Sequence, residues 1–337
     1  ARNEEGILVI ENVANRAFKV VFKVNGVERK ADVEAASAQV ATRIDGINYY
    51  GVDTLLVELG SGSDVFNVQG TSADTNVKLK EGDDRIYVSS TASATLDELP
   101  DFLEGHLHYL NGNLNIEAGA GRHSLMVSDE ASVEADGSAG SPALMTDRLS
   151  SLTSPDGFVW RDADIYIDGL SEGTIAFGNG GNSSGDFARG VTVWTGFKDD
   201  TLLVEAIHDP ILADSDGVSI LTLAPLNTGL GNDTVYVDLD SRAPGLEEIG
   251  FFVLNTQGPY NQYPDLDDMD TVFGSGTRPM GWPDGGTGFV STLPLVVIGG
   301  QDSDTIFGGS SRDVVIGDRG RVEFVDASGV LSAVRGP

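Results

Sequence analysis

The feature of this chain that most restricts its fold is a sequence motif that occurs six times. It consists of a short apolar run, a turn of G-x-G-x-D type and a second apolar run. Alternation of apolar and polar residues predicts β-strands. Glycine enters positive φ at such turns without steric cost, and Asp hydrogen-bonds its own backbone there. Units that repeat in this way bury their apolar faces by stacking, so the sequence predicts a mainly all-β, elongated β-solenoid or β-roll with inserted loops. The six segments are 55–68, 77–88, 114–127, 191–204, 226–237 and 295–307.

A nine-residue repeat in the last segment points to a cation. Each of its turns places backbone carbonyl oxygens beside a carboxylate, and stacking would bring two turns together around a hard cation that takes six to eight oxygens. Calcium fits this demand better than magnesium, which needs a tighter octahedron. Turn formation alone is the alternative explanation for most of the other Gly-Asp turns.

The nonapeptides "GGQDSDTIF" and "GGSSRDVVI" resemble two consecutive copies of the hemolysin-type calcium-binding (RTX) β-roll repeat. The resemblance implies bound Ca²⁺, with Ile306 and Val315 as the inward-pointing apolar residues. Two positions depart from the repeat, because Asp302 and Ser311 replace a glycine, and a third copy stops after "GDRG". The implied metal-site residues are Gly299, Gly300, Asp302 and Asp304 in one loop, Gly308, Gly309 and Asp313 in the next, and Gly317 and Asp318 in the third.

Members of that family hold calcium between loops two repeats apart. The resemblance therefore implies that the loop at 299–304 has one stacked partner, the loop around Gly317 and Asp318, and that this stretch forms one site.

Other turns are weaker candidates for calcium. Asp64 and Asp84 are spaced to face each other across adjacent coils, as are Asp200 or Asp216 with Asp233. In "GAGRHS", His123 occupies the position of the expected Asp, which argues against a cation at that turn.

Composition excludes several classes of partner. The formal net charge of -31 would repel nucleic acid and anionic membranes, whereas it suits divalent cations. No apolar run approaches the roughly 18 residues of a membrane-spanning helix, and no charged-then-apolar leader opens the sequence. The chain has no cysteine, so disulfides do not stabilise it.

The predicted organisation alternates solenoid segments with insertions. The N-terminal module combines two strands, joined by a turn at Asn25–Gly26, with an amphipathic helix over 33–44. The acidic cluster 265–270, near Trp282, suggests either a second calcium or a carbohydrate or protein contact, with a solvated loop as the alternative. The boundaries are 1–50 for the strand and helix capping module, 51–135 for the first solenoid segment, 136–160 for a loop insertion, 161–240 for the second solenoid segment, 241–294 for an acidic and aromatic loop insertion, and 295–337 for the RTX-like segment and a C-terminal strand.

Motifs for catalysis are scarce. His106 and His108 would share a strand face and supply two metal ligands at most, and a surface pair is the simpler interpretation. The sequence has no H-E-x-x-H motif and no phosphate-binding glycine loop. Two sequons, at Asn182 and Asn232, would permit N-glycosylation in a secreted protein.

The sequence predicts a non-enzymatic structural repeat of a giant extracellular or cell-surface protein: a calcium-stiffened rod that stacks head to tail with identical or similar repeats in a filament, hair-like appendage or adhesin. Carbohydrate, such as cell-surface glycans, is a further candidate partner. The alternatives are a carbohydrate-active β-helix enzyme or its calcium-dependent accessory module, and the secretion-directing tail of a toxin or protease.

Overall fold

The fold is known from a computed structural model of the 337-residue chain. The residues that it describes are 8–13, 17–20, 23–24, 27–28, 46–49, 51–100, 102–146, 165–178, 185–187, 189–207, 225–239, 252–256, 268–279, 288–320, 322–325 and 331–335.

All regular elements of the described part are β-strands, and no helix there is long and apolar enough to cross a membrane. In chain order the strands are β1 (Leu8–Val13), β2 (Ala17–Val20), β3 (Lys23–Val24), β4 (Val27–Glu28), β5 (Thr54–Glu58), β6 (Val65–Val68), β7 (Asp74–Lys78), β8 (Arg85–Val88), β9 (Leu114–Glu117), β10 (Gly121–Arg122), β11 (Ser124–Ser128), β12 (Ala143–Thr146), β13 (Ile165–Asp168), β14 (Ile175–Gly178), β15 (Gly185–Asp186), β16 (Val191–Trp194), β17 (Thr201–Val204), β18 (Pro225–Asn227), β19 (Thr234–Val237), β20 (Phe252–Asn255), β21 (Thr271–Phe273), β22 (Ser275–Gly276), β23 (Phe289–Val290), β24 (Leu295–Ile298), β25 (Thr305–Phe307), β26 (Val314–Ile316), β27 (Val322–Val325) and β28 (Leu331–Arg335).

Two large, mostly parallel sheets dominate the fold. The larger has twelve strands in the order β2-β1-β5-β7-β9-β14-β13-β12-β17-β19-β21-β25, and the smaller has eight in the order β26-β24-β20-β18-β16-β11-β8-β6. From β5 to β8 and from β16 to β21 the main strands fall alternately in the larger and the smaller sheet. We call a turn from the larger to the smaller sheet an outbound turn and one in the opposite direction a return turn.

One apolar core lies between the two sheets. In β5 the burial alternates along the strand, so that Leu55 and Val57 point inward, as the sequence pattern predicts. Ile86 and Val88 of the smaller sheet belong to the same buried cluster, which continues from Leu55 to Val297. Packing in the interior is therefore continuous over the stacked strands.

All six repeated segments form a strand, a turn and a second strand, which confirms that part of the prediction. The first three contain outbound turns and the last three contain return turns. The same sequence motif therefore forms two kinds of turn, outbound and return. The pattern of apolar residues does not distinguish these two kinds.

Besides the antiparallel edge pair β1–β2, β13 interrupts the run of parallel strands in the described part of the larger sheet. β14 and β13 pair antiparallel, β13 and β12 pair antiparallel, and β12 then pairs parallel with β17. The predicted loop insertion 136–160 therefore contains a strand of the sheet, and Ala143 and Met145 in it are buried. Flanking Ser, Gly and Pro residues hide this short strand in the sequence. The 241–294 insertion likewise contains β20 to β23.

The strands on either side of the predicted turn, β3 and β4, pair antiparallel, whereas residues 25–26 themselves lie outside the described residues. The predicted helix over 33–44 lies outside the described residues, as do Asp216, Trp282 and Asn182.

Candidate metal centre

A column of aspartates runs along the return turns. The backbone N–H of each member donates to Oδ1 of the next: Asp136 to Asp200 (2.7 Å), Asp200 to Asp233 (2.9 Å), Asp233 to Asp270 (2.9 Å) and Asp270 to Asp304 (3.1 Å). We call Asp136, Asp200, Asp233, Asp270 and Asp304 the aspartate column. Asp200 and Asp233 therefore lie on adjacent turns, as predicted, and they belong to a longer series of aspartates.

Strand register explains why the carboxyl groups stack. Thr201, Thr234, Thr271 and Thr305 are successive partners across four parallel strands, and each follows a member of the column. Neighbouring strands are about 4.8 Å apart, so the preceding aspartates repeat at that distance. We call each strand of this series, together with the turn before it, a level. The local motif Asp-Thr followed by a large apolar residue thus places one carboxyl group on each of these levels.

These carboxyl groups are removed from solvent and only half satisfied. Asp200, Asp233 and Asp270 are each 1% exposed. Oδ1 accepts the hydrogen bond from the neighbouring level in all members but Asp136, whereas Oδ2 of every member has no hydrogen-bond partner among the described residues. Buried oxygen atoms of this kind normally find a donor or a cation, because leaving them unpaired costs about 1–3 kcal/mol each.

Burial and mutual repulsion disfavour the charged form throughout the column. Desolvation, followed by repulsion from Asp200, raises the pKa of Asp136 to about 9. Burial is also the main cause that raises the pKa of Asp270 to about 8 and that of Asp200 to about 6. The pKa of Asp233 lies well above its usual range because of burial and then of Asp200 and Asp270 on either side. The carboxyl groups of the column must therefore be protonated, which removes their negative charge, or bind cations, which compensate it.

The column continues at both ends. Asp129 is buried near Asp136 and Asp200, and desolvation raises its pKa to about 6, while His108 nearby lowers it. At the other end, desolvation raises the pKa of Asp304 and the adjacent Asp318 adds to the rise.

The loop 299–304 corrects one sequence expectation. Its turn has positive φ at Gly300 (104°) and at Asp302 (60°), the conformation that Gly-Asp turns favour. Asp268 N–H donates to Asp302 Oδ2 (3.3 Å), and Gln301 N–H donates to Asp268 Oδ2 (3.3 Å). The loop therefore has a stacked partner on each side, Asp268–Asp270 as well as Gly317–Asp318, so the expectation of a single partner is wrong. The preceding level is 34 residues away rather than 18, because an excursion separates them.

Gly299 keeps open the space beside Asp304. A Cβ on Gly299 would overlap Asp304 Oδ2 and would lie 2.8 Å from the carbonyl oxygen of Gly317. An unpaired carboxylate oxygen and a backbone carbonyl oxygen therefore face one small space, which is the donor chemistry that Ca²⁺ prefers.

The neighbouring loop with Gly308, Gly309 and Asp313 is closed by its own hydrogen bonds. Asp313 Oδ1 accepts from Leu295 N–H (3.0 Å) and Oδ2 accepts from Gly309 N–H (2.9 Å). Since both carboxylate oxygens are already engaged, this loop differs from the aspartate column.

The outbound turns carry a shorter series. Asp64 N–H donates to Asp84 Oδ1 (2.8 Å), and Asp84 N–H donates to His123 Nδ1 (3.2 Å). Asp64 and Asp84 thus face each other across adjacent levels as predicted, and His123 takes the third place. Asp84 and His123 are completely buried, and Asp84 Oδ2 lies 3.2 Å from His123 Nδ1.

Metal coordination by side chains alone finds no support, because the described residues contain no group of three or more His, Asp or Glu side chains that could hold an ion. A cation in the column would need backbone carbonyl oxygens besides two carboxyl groups. His106 and His108 lie with ring centroids 4.5 Å apart, and His108 Nε2 is 3.3 Å from Ser132 Oγ.

Sequence reasoning missed Asp129 and Asp136, and it placed Asp270 in the acidic cluster 265–270 as a possible calcium ligand and not in this series. The signal for Asp270 was present, since "DTVF" at 270–273 matches "DTVY" at 233–236 and "DTIF" at 304–307. Asp136 carries no such motif, because β12 begins several residues later.

The sequon residue Asn232 belongs to a ladder beside the column. Its backbone N–H donates to Asp199 Oδ1 (2.9 Å), and its side-chain oxygen accepts from Met269 N–H (3.0 Å). The side chain of Asn232 is therefore engaged between levels.

No protein-family model matches the chain, and no curated protein or solved structure is significantly similar to it.

Proposed function

We propose that this chain is a structural repeat of a large extracellular or cell-surface protein, in which Ca²⁺ neutralises and stiffens a two-sheet β-solenoid. The observation that supports this is the aspartate column, with one unpaired and buried carboxylate oxygen on each level. Bound calcium would turn these destabilising buried oxygens into a link between neighbouring levels.

The donor set fits calcium best at the C-terminal end of the column. Asp304 Oδ2 and Gly317 O face the space beside Gly299, and Asp302 and Asp318 lie next to it. Calcium accepts a mixture of carboxylate and carbonyl oxygens at 2.3–2.6 Å and tolerates irregular geometry. Asp200, Asp233 and Asp270 would hold further ions with carbonyl oxygens of the return turns.

The stacking of strands in the larger sheet supports the proposed rod. Twelve strands at about 4.8 Å each give the larger sheet a length of about 50 Å, and consecutive copies joined end to end would extend it. The large negative charge keeps such a rod soluble, and divalent cations would reduce its internal repulsion.

The aspartate column does not support the alternative of a carbohydrate-active enzyme. Its central carboxyl groups are 1% exposed, so a polysaccharide has no access to them. We therefore interpret the column as part of the scaffold.

Equilibrium binding of calcium tests the site assignment. We expect wild-type protein to bind Ca²⁺ at millimolar or lower concentration and Asp304→Asn and Asp233→Asn to lose bound ions. Asp97→Asn, at an exposed position away from the column, is the matched control and retains the wild-type stoichiometry. Equal stoichiometry in all variants would place calcium elsewhere, and no binding by wild type would remove calcium from the proposal.

Electron microscopy of two copies joined in tandem tests the rod. In calcium we expect one straight particle about twice as long as a single copy. Two particles that tumble separately on a flexible joint would contradict the end-to-end arrangement.

A further inference from the structure

A second row of residues lies where the return turns begin, across from the aspartate column. Its members directly follow β16, β18, β20 and β24, four strands of the smaller sheet that pair in succession. The backbone N–H of each member donates to the carbonyl oxygen of the residue that ends the next strand (2.7–3.1 Å), so the members stack one above another. We call Thr195, Thr228, Thr256 and Gly299 the facing row.

Three levels combine a hydroxyl group of the facing row with a carboxyl group of the column. The three threonines are completely buried, and each lies beside the aspartate of its own turn. The column is therefore lined by hydroxyl groups as well as by carboxyl groups. The pairs are Thr195 with Asp200, Thr228 with Asp233, and Thr256 with Asp270.

The hydroxyl protons of two of these threonines are directed away from the column. Thr195 Oγ1 donates to the carbonyl oxygen of Thr228 (2.9 Å), and Thr256 Oγ1 donates to that of Gly299 (2.7 Å). A hydroxyl group has one proton, so only lone pairs remain for the neighbouring carboxyl group. Two oxygen atoms that lie side by side in the interior need a proton or a cation between them.

The third threonine is left without any partner. Thr228 Oγ1 and Asp233 Oδ2 are both buried, and neither has a hydrogen-bond partner among the described residues. A neutral side chain outside the column is thus unsatisfied at the same place as the carboxyl group. Calcium takes six to eight oxygen ligands, and this turn offers hydroxyl, carbonyl and carboxylate oxygens.

The terminal level of the facing row differs from the inner three. A Cβ at Gly299 would overlap Asp304 Oδ2, so the glycine leaves open the space beside the carboxyl group. Asp304 is half-buried, and Gly317 and Asp318 are exposed, whereas the aspartates of the three inner levels are 1% exposed. The terminal level is therefore open to solvent and the inner levels are closed.

We propose that the hydroxyl oxygens of Thr195, Thr228 and Thr256 are calcium ligands that complete closed, slowly exchanging sites on the inner levels of the column. On the terminal level, Gly299 leaves a site whose ion exchanges rapidly. A bound ion on an inner level would lie where the hydroxyl and carboxyl oxygens have no proton between them. This inference rests on the proposed function, because it requires that the column binds calcium.

Release of Ca²⁺ from the loaded protein into a fluorescent chelator tests the assignment. We expect wild type to release calcium in two phases that differ at least about tenfold in rate, because the inner ions leave only when the stack opens locally. Thr228→Val removes the oxygen and keeps the branched side chain, so it should reduce the amplitude of the slow phase. Thr228→Ser keeps the oxygen and should retain the slow phase.

Two further variants complete the comparison. Thr75→Val is the matched control, because Thr75 is a buried threonine outside the facing row whose Oγ1 donates to Ala73 O (2.9 Å). We expect this control to release calcium as wild type does. Thr195→Val repeats the test one level away and covers the case in which Thr228→Val does not fold.

The outcomes separate this inference from the proposed function. A slow phase that is unchanged in the Thr228→Val and Thr195→Val proteins but reduced in Asp233→Asn would refute the threonine ligands and leave calcium in the column. Loss of the slow phase in Thr228→Ser as well would show an effect of packing and would also refute them. Wild-type protein that binds no calcium would overturn both the proposed function and this inference.

A reciprocal substitution tests the terminal level. Gly299→Thr places an inner-level side chain beside Asp304, and we expect the fast phase of calcium release to disappear. A fast phase of wild-type amplitude in this variant would contradict the difference between terminal and inner levels.

Discussion

At the scale of single residues, glycines decide where successive turns can approach each other. Gly82 has a φ of 114°, and a Cβ there would overlap the carbonyl oxygen of Gly62 on the neighbouring level. Gly121 in turn lies against Gly82 O in the same way. Two separate demands, positive φ and close backbone contact, therefore coincide at these turns.

Three alanine variants separate the two demands. Gly60→Ala has neither strain nor a close neighbour, Gly62→Ala has a positive φ of 121° but no atom within 4 Å, and Gly82→Ala has both the strain and the overlap. We expect losses of unfolding free energy of roughly 0, 1 and 3 kcal/mol in that order. Urea unfolding measures the series, and a Gly82→Ala protein as stable as Gly60→Ala would contradict the observed turn stacking.

At the scale of elements, the aspartate column makes the metal-free protein sensitive to pH. The pKa values of Asp136, Asp200 and Asp270 are raised above those of the unfolded chain, to about 9, 6 and 8, chiefly by burial. The folded protein therefore retains protons that the unfolded chain releases above a pH of about 4. The free energy of folding that these retained protons contribute is fully present below that pH, and it is lost as the pH rises toward 9.

Thermal unfolding in EDTA between pH 5 and pH 8 tests this linkage. We expect the midpoint to fall with rising pH and the double variant Asp136→Asn/Asp270→Asn to flatten the decline. Asp97→Asn should keep the wild-type slope. A midpoint that rises over this interval would show that the column is not protonated in the metal-free protein.

Much of this element-scale organisation is predictable from the sequence. Alternating residues such as those in "TLLVE" indicate the strands, and the G-x-G-x-D turns place Asp64 opposite Asp84 and Asp200 opposite Asp233. The offsets between levels are not predictable in this way, because they differ widely along the chain, with 20 residues between Asp64 and Asp84 and 64 between Asp136 and Asp200. Asp136 joins the column through a short strand among Ser and Gly residues, and only the sheet pairing of β12 reveals its position.

At the scale of the whole molecule, two sheets share one core and carry most of their buried carboxyl groups on one side. The return turns hold the aspartate column, whereas the outbound turns replace the third carboxyl group with His123. A protein with a formal charge of -31 thus concentrates part of that charge in its interior, where it destabilises the fold unless protons or cations bind. The proposed role as a stiff extracellular rod depends on which of these two ligands the column takes.

The most direct measurement is the thermal unfolding midpoint of the wild-type protein at pH 7.5 in EDTA and in millimolar Ca²⁺. Ligands that bind only the folded state raise stability by about 2.7 kcal/mol at one hundred times their dissociation constant. The account predicts a midpoint several degrees higher in calcium, with most of the increase lost in Asp233→Asn. Identical midpoints in EDTA and calcium would contradict it.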